Sequence, residues 1–65
     1  MIFVTKLNGE SYLLNNRHIE TAEEKPDTTI VMTSGKIVII KESLDTLQEK
    51  IVEFELSVSN RLTGK

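Results

Sequence analysis

The sequence predicts an α+β fold in which a small, curled antiparallel β-sheet of about five strands is followed by one long C-terminal helix. Two observations predict it. Short β-branched runs alternate with turn-forming residues over residues 1–42, and an uninterrupted amphipathic pattern occupies residues 43–62. The length of 65 residues leaves room for a single domain, residues 1–65, made of this β-unit and this helix.

The first three strands are predicted from apolar runs and turns. Residues 2–7 and 10–14 flank Asn8-Gly9, which predicts a hairpin with a two-residue turn whose two residues both need a positive φ. A third strand is predicted over residues 18–24. Its charged side chains suit the edge of a sheet, where they prevent unwanted strand pairing.

Two further strands are predicted over residues 28–33 and 36–41, joined by Ser34-Gly35 as a two-residue turn. Residues 37–40 are all apolar, so both faces of this strand are apolar. An antiparallel sheet with one wet face alternates apolar and polar residues instead. We therefore expect the sheet either to close into a small barrel or to have its second face covered by the helix or by another chain.

The helix is predicted over about residues 44–61, with Ser43 as its N-cap and Asp45 in its first turn. At ~1.5 Å per residue it spans roughly 27 Å, which is longer than a sheet of this size needs as a cover. We therefore expect the helix to carry oligomerisation, most simply with a second copy of the chain. The predicted oligomerisation face consists of Leu47, Ile51, Phe54, Val58 and Leu62.

Composition narrows the function classes. Eight Lys and Arg residues against ten Asp and Glu residues give a net charge of −2, which argues against nucleic-acid binding. The chain has no Cys, and a domain of this length buries only about 60% of its unfolded surface, so self-association is the remaining means of stabilisation. Neither a secretory leader nor a membrane-length apolar stretch is visible, so we expect a cytoplasmic protein.

No group of residues predicts catalysis. His18 is the one histidine and stands at a strand start without an evident orienting partner. Glu20, Glu23 and Glu24 alternate between strand faces, and Ser34 lacks the flanking pattern of a nucleophile elbow. We expect a protein that is not an enzyme, with no cofactor and no metal site.

Four stretches together resemble a known family. They are IFVTKLNGESYLLN, HIE, EKPDTTIVMTSGK and IVIIKES, and a C-terminal helix follows them. The ensemble, over about residues 1–51, resembles the FlbD/SwrD family of small flagellar motility proteins, with departures at Val4 and Lys25. The positions that fit the family pattern are Thr5, Leu7, Asn8, Gly9, Asn15, Ile19, Glu20, Pro26, Asp27, Thr28, Gly35, Glu42 and Ser43.

The resemblance implies a cytoplasmic bacterial protein that supports flagellar motility without enzyme activity or a cofactor. The hypothesis that we attach to it is an adaptor that associates with the flagellar base. A β-unit joined through its helix and sheet into a homo-oligomer would present a loop to a motor or stator component and support motor output in swarming. The candidate loop consists of Lys25, Pro26, Asp27 and Thr28, which turn chemistry also explains as a simple strand connection.

Two alternatives stay open at the level of sequence. Thr5-Lys6, Gly9-Glu10 and Ser11 before a strand also resemble the start of the CsrA family of small dimeric RNA-binding regulators, which implies post-transcriptional control of flagellar genes. The acidic balance and the scattered basic residues argue against it. A structural subunit of the basal body is the other alternative, and it implies that cells without the protein lack filaments. For the RNA-binding alternative, the candidate contacts are the scattered basic residues Lys6, Arg17, Lys25, Lys36 and Lys41.

Overall fold

Five strands, one short 3₁₀ helix and one α-helix follow one another along the part of the chain that the structure describes. The computed structural model describes the backbone of residues 1–63 and the side chains of residues 1–58. The α+β class and the order of elements predicted from the sequence are confirmed. The elements are β1 (Ile2–Thr5), β2 (Ser11–Leu14), the 3₁₀ helix (Asn16–His18), β3 (Ile19–Glu24), β4 (Thr28–Met32), β5 (Ile37–Ile40) and α1 (Leu44–Thr63).

The strands form two antiparallel sheets that meet at a corner. β1 pairs with β2, while β3, β4 and β5 form the second sheet with β3 at its edge, as predicted. A single bridge between Lys6 and Ile40 joins the two sheets, and next to it the Lys41 N–H donates to the Thr5 carbonyl at 2.8 Å. Because β1 and β5 meet only at their ends, the described sheet is curled and does not close into a barrel.

The first hairpin has a three-residue loop, so the predicted two-residue turn is wrong. The Gly9 N–H donates to the Lys6 carbonyl at 2.8 Å, and the Lys6 N–H donates to the Glu10 carbonyl at 2.9 Å. Gly9 has a φ of 94°, whereas none of the non-glycine residues that the structure describes has a positive φ. This is a type I turn followed by a left-handed glycine, in which Asn8 needs no positive φ. Its Oδ1 instead accepts from the Glu10 N–H at 2.9 Å.

The second hairpin repeats this geometry with a different sequence. The Gly35 N–H donates to the Met32 carbonyl and the Met32 N–H to the Lys36 carbonyl, both at 2.8 Å. Gly35 has a φ of 93°. The Ser34-Gly35 turn is therefore also one residue longer than predicted. In both hairpins the glycine at the third loop position supplies the one positive φ that this loop requires.

The core lies between the concave side of the sheets and the first half of α1. Ile51 and Phe54 pack at its margin together with half-buried residues of the strands. Burial alternates along β5, so Ile37 (61% exposed) and Ile39 (41% exposed) lie on the outer face. Within one chain neither a barrel nor the helix covers this face. The buried apolar residues are Ile2, Val4, Leu14, Ile30, Met32, Val38, Ile40 and Leu47.

The start of α1 is fixed by two caps. The Ser43 Oγ accepts from the Thr46 N–H at 3.2 Å, which confirms the predicted N-cap. The Glu24 carboxylate, at the end of β3, accepts from the Leu44 N–H at 2.9 Å. A carboxylate at this position satisfies a free helical donor and complements the positive end of the helix dipole. α1 has 20 residues and is thus slightly longer than predicted.

The hairpin geometry predicts different costs for two substitutions of one glycine. Gly35→Ala should lower the free energy of unfolding by roughly 1–2 kcal/mol, because an L-residue disfavours a left-handed backbone. Nothing lies within 4 Å of the position that a Cβ would take, so the cost comes from the backbone alone. Gly35→Asn should cost less, since Asn tolerates this region. Urea unfolding measures both, and an equal loss in the two variants would contradict the assigned loop.

Candidate interaction surfaces and the Glu42 clamp

Glu42 lies in the linker between β5 and α1, and its carboxylate binds two other segments. The Thr5 N–H donates to its Oε1 at 2.9 Å, and the Thr5 hydroxyl donates to its Oε2 at 3.0 Å. The Lys50 ammonium, on α1, lies 3.7 Å from Oε2. The side chain of Glu42 is only 12% exposed. These contacts fix β1 and α1 relative to the linker.

Two further hydrogen bonds extend this arrangement, which we call the Glu42 clamp. The Thr28 hydroxyl, at the start of β4, donates to the backbone carbonyl of Glu42. The Lys50 ammonium also donates to the Phe3 carbonyl in β1 at 2.9 Å. The clamp therefore joins β1, β4, the linker and the second turn of α1, and its side-chain contacts connect the two sheets at their corner.

The clamp determines the charge state of Glu42. Burial alone would raise the pKa of this carboxyl, but the N–H of Thr5, its own backbone N–H, the Thr5 hydroxyl and the Lys50 charge together lower the pKa below its ordinary value. An ionised carboxylate with these donors around it suits a structural role. General acid–base catalysis needs a group whose pKa lies near the working pH instead.

The predicted interaction loop lies between β3 and β4, as turn chemistry predicted. Lys25, Pro26 and Asp27 are exposed. Thr28 is different, because it is 2% exposed and its hydroxyl is used in the Glu42 clamp. The loop can therefore offer a partner its first three side chains, while Thr28 supports the fold. The backbone carbonyl of Asp27 accepts from the Thr29 hydroxyl at 3.1 Å.

The predicted oligomerisation face of the helix is largely used within the chain. Leu47 is 2% exposed and belongs to the core, and Ile51 and Phe54 pack against that core. Val58 is half-buried. The side chain of Leu62 lies outside the described residues. Self-association through this face as a whole would require three side chains that the sheet already contacts.

The convex side of both sheets carries the second apolar face that the sequence predicted for the strand over residues 36–41. Phe3 (62% exposed) and Leu13 lie opposite each other on β1 and β2, and Ile37 and Ile39 occupy the corresponding side of β5. We call these four residues the outer sheet face. The signal was present in the sequence as runs without alternation, but the runs did not reveal which side would stay exposed.

An unpredicted feature is a small cationic group around Tyr12. The Lys6 and Lys36 ammonium groups lie 5.2 Å and 5.4 Å from the centre of the Tyr12 ring. The Lys36 ammonium also donates to the Tyr12 hydroxyl at 3.0 Å. These two lysines, which the sequence left among scattered charges, are therefore neighbours. The ring holds them through cation–π attraction, which is modest at an exposed site.

Among the described residues, no three His, Asp or Glu side chains come together as a group that could hold a metal ion. His18 is exposed, at the rim of an open groove that Tyr12, Ser34 and Lys36 also line. No helix of the described chain has the length and apolarity needed to span a membrane.

The chain is a small α+β domain with an open curled sheet and a long amphipathic helix. Large apolar side chains are exposed on both elements, as on the binding surfaces of other small domains. The family FlbD, described as flagellar and swarming motility proteins, matches residues 1–59. The chain belongs to this family of flagellar and swarming motility proteins. The match gives no support to the resemblance to CsrA. No curated protein and no solved structure matches the chain.

The structure separates the family-pattern residues into two groups, apart from Ile19, which is half-buried and packs against the core. Those that shape the fold do so by turns, caps and the clamp: Thr5, Asn8, Gly9, Asn15, Thr28, Gly35, Glu42 and Ser43. Four others have exposed side chains: Leu7, Glu20, Pro26 and Asp27. Glu20 stands at a bulge in β3, between Ile19 and Thr21. These exposed positions are the better candidates for contact with another molecule.

The clamp predicts a specific effect of pH on stability. The folded-state pKa of Glu42 is lowered, so its contribution is present above the ordinary glutamate pKa of about 4.3 and is lost as the pH falls through the lowered folded-state pKa. Glu42→Gln replaces charge-assisted hydrogen bonds by neutral ones. It should lower the free energy of unfolding by about 1 kcal/mol at pH 7, and this difference should vanish in acid.

Urea unfolding between pH 2 and 7 measures this, with Glu23→Gln on the exposed side of β3 as the matched control. The control should leave the stability nearly unchanged over the whole range. An effect of Glu42→Gln that is equally large at every pH would show that the charge of Glu42 does not stabilise the fold.

Proposed function

We propose that this chain is a non-enzymatic cytoplasmic adaptor that acts at the flagellar base and supports the output of the flagellar motor during swarming. Membership of the FlbD family supports the place in motility. The observation that carries the adaptor role is the outer sheet face, because large apolar side chains exposed on a small domain mark a binding surface.

We propose further that the chain is a homo-oligomer, and that its outer sheet face carries the contact. Phe3 and Ile37 are each more than 60% exposed. β5 is an edge strand apart from its one bridge at Ile40, and its residues include no charge and no proline that would prevent pairing with another strand. Covering this face would also supply the buried area that a 65-residue chain lacks.

The loop of Lys25, Pro26 and Asp27 is then the surface that meets a motor or stator component. Its three side chains are exposed, and it follows β3, whose last residue Glu24 caps α1. The loop is thus held between β4 and the start of the helix. A fixed loop binds with a smaller loss of conformational entropy than a mobile one.

The adaptor proposal predicts the phenotype of cells that lack the gene. They should form a normal number of filaments and rotate them with reduced torque, because an adaptor at the motor is not needed for assembly. Filament counts and single-motor torque in the same strain measure this, and expression of the unaltered gene should restore the torque. Missing filaments would contradict the adaptor and favour a structural subunit or control of gene expression.

The oligomer proposal predicts that substitutions on the outer sheet face abolish self-association, whereas a substitution on the exposed side of α1 does not. The purified chain should sediment as an oligomer, and Phe3→Ser with Ile37→Ser should give a folded monomer, because both side chains lie outside the core. Leu56→Ser on α1, which removes an equally exposed side chain, is the matched control and should stay oligomeric. An unaltered chain that is monomeric at high concentration would overturn this part of the proposal.

A further inference from the structure

α1 carries a second apolar stripe beside the one that faces the core. Leu44, Val52 and Leu56 are exposed, and with Gln48 they follow one another at steps of four residues, which lie on one side of a helix. Leu44 and Val52 line a shallow apolar groove that continues onto Ala22 of β3. The first half of this stripe therefore borders the contact between α1 and β3.

An acidic row runs along the other margin of this stripe. Asp45, Glu49 and Glu53 also follow one another at steps of four, and all three are exposed. They line a continuous surface together with Gln48 and Val52. Three apolar side chains and three carboxylates thus form one face, which we call the acidic–apolar face of α1: Leu44, Val52, Leu56, Asp45, Glu49 and Glu53.

The first four turns of this helix carry an excess of negative charge. Between residues 44 and 58 there are four carboxylates and one basic residue, Lys50, while the whole chain has a net charge of −2. The Lys50 ammonium lies in the Glu42 clamp, where it contacts Glu42 and the Phe3 carbonyl. The acidic row therefore faces solvent with its charge largely uncompensated by the helix itself.

We propose that the acidic–apolar face of α1 docks a basic amphipathic helix of another protein. The inference rests on the proposed function, since it assigns the chemistry of a partner to the adaptor. Charge decides between the possible occupants. A second copy packed antiparallel would bring a second row of carboxylates against the first, and like charges across an interface are unfavourable. Lys or Arg residues beside an apolar stripe would instead meet Asp45, Glu49 and Glu53.

The dimensions of the face fit this occupant. From Leu44 to Leu56 the stripe extends roughly 18 Å, which corresponds to between three and four helical turns. A partner helix of that length would place apolar side chains at steps of three and four residues against Leu44, Val52 and Leu56. Its basic residues would flank those positions on one side. Apolar contact would supply affinity and the charges would select the partner and its orientation.

The test is a titration of the purified full chain with a synthetic Leu/Lys peptide that forms an amphipathic helix of about four turns. A peptide of the same composition in scrambled order and a Leu/Glu peptide are the ligand controls. We expect binding of the amphipathic Leu/Lys peptide alone, weakened by added salt. Equal binding of the scrambled peptide, or no binding of the amphipathic one, would overturn the proposal.

Variants of the chain locate the site. Glu49→Lys with Glu53→Lys, and separately Val52→Ser with Leu56→Ser, should each weaken peptide binding at least tenfold. Glu20→Lys with Glu23→Lys makes the same change of charge on β3 and should alter binding less than twofold. All these side chains are exposed, so the variants should remain folded, which circular dichroism checks. An equal loss in the β3 variant would show non-specific attraction and overturn the assignment.

Motor torque distinguishes failure of this inference from failure of the adaptor proposal. Cells that carry Glu49→Lys with Glu53→Lys should show the torque of the deletion strain. Reduced torque in the deletion strain with full torque in this variant would overturn the docking face and leave the adaptor proposal standing. Normal torque in the deletion strain, with peptide binding that still depends on Glu49 and Glu53, would overturn the adaptor proposal and leave the docking face standing.

Discussion

The carboxylate of Glu42 joins parts of the molecule that have little else in common. It accepts two hydrogen bonds from Thr5, which lies 37 residues earlier in the chain. It also forms an ion pair with Lys50, which lies in the second turn of α1. Among the described residues the two sheets share one backbone bridge, so without this clamp the corner between them would be held by few polar contacts. The direction in which α1 leaves the sheet follows from the clamp and from the two caps at its start.

The open corner explains why so much apolar surface remains exposed. A closed barrel would bury one side of every strand and leave no edge, but two sheets that touch at one bridge leave the edges of β1 and β5 largely free. Phe3 and Ile37 lie near these edges on the convex side. The concave side alone is covered by α1, because one helix can cover only one face of a curled sheet. Exposed surface is therefore a consequence of the architecture and is available for binding.

The molecule then offers three surfaces that differ in chemistry. The outer sheet face is apolar and extended, the loop of Lys25, Pro26 and Asp27 is small and polar, and the acidic–apolar face of α1 combines both characters. They are held by different elements of one small domain. The adaptor role that we propose needs such a separation, because contacts between copies and contacts with a partner would otherwise compete for the same side chains. The chain belongs to a family of flagellar and swarming motility proteins, so these surfaces belong to a motility protein.

The sequence by itself determined the order of elements, the positions of the turns and the start of the helix, because these depend on local features such as Asn8-Gly9, Ser43 and the spacing of apolar residues. It could not determine the loop length, since a two-residue and a three-residue turn both accept glycine. Only the tertiary structure decided that Thr28 is buried, that Leu47 packs inward and that Ile37 remains exposed. These outcomes depend on contacts between residues far apart in the chain, such as the core packing of Leu47 and the bonds of Glu42 with Thr5 and Thr28, which no local pattern reports.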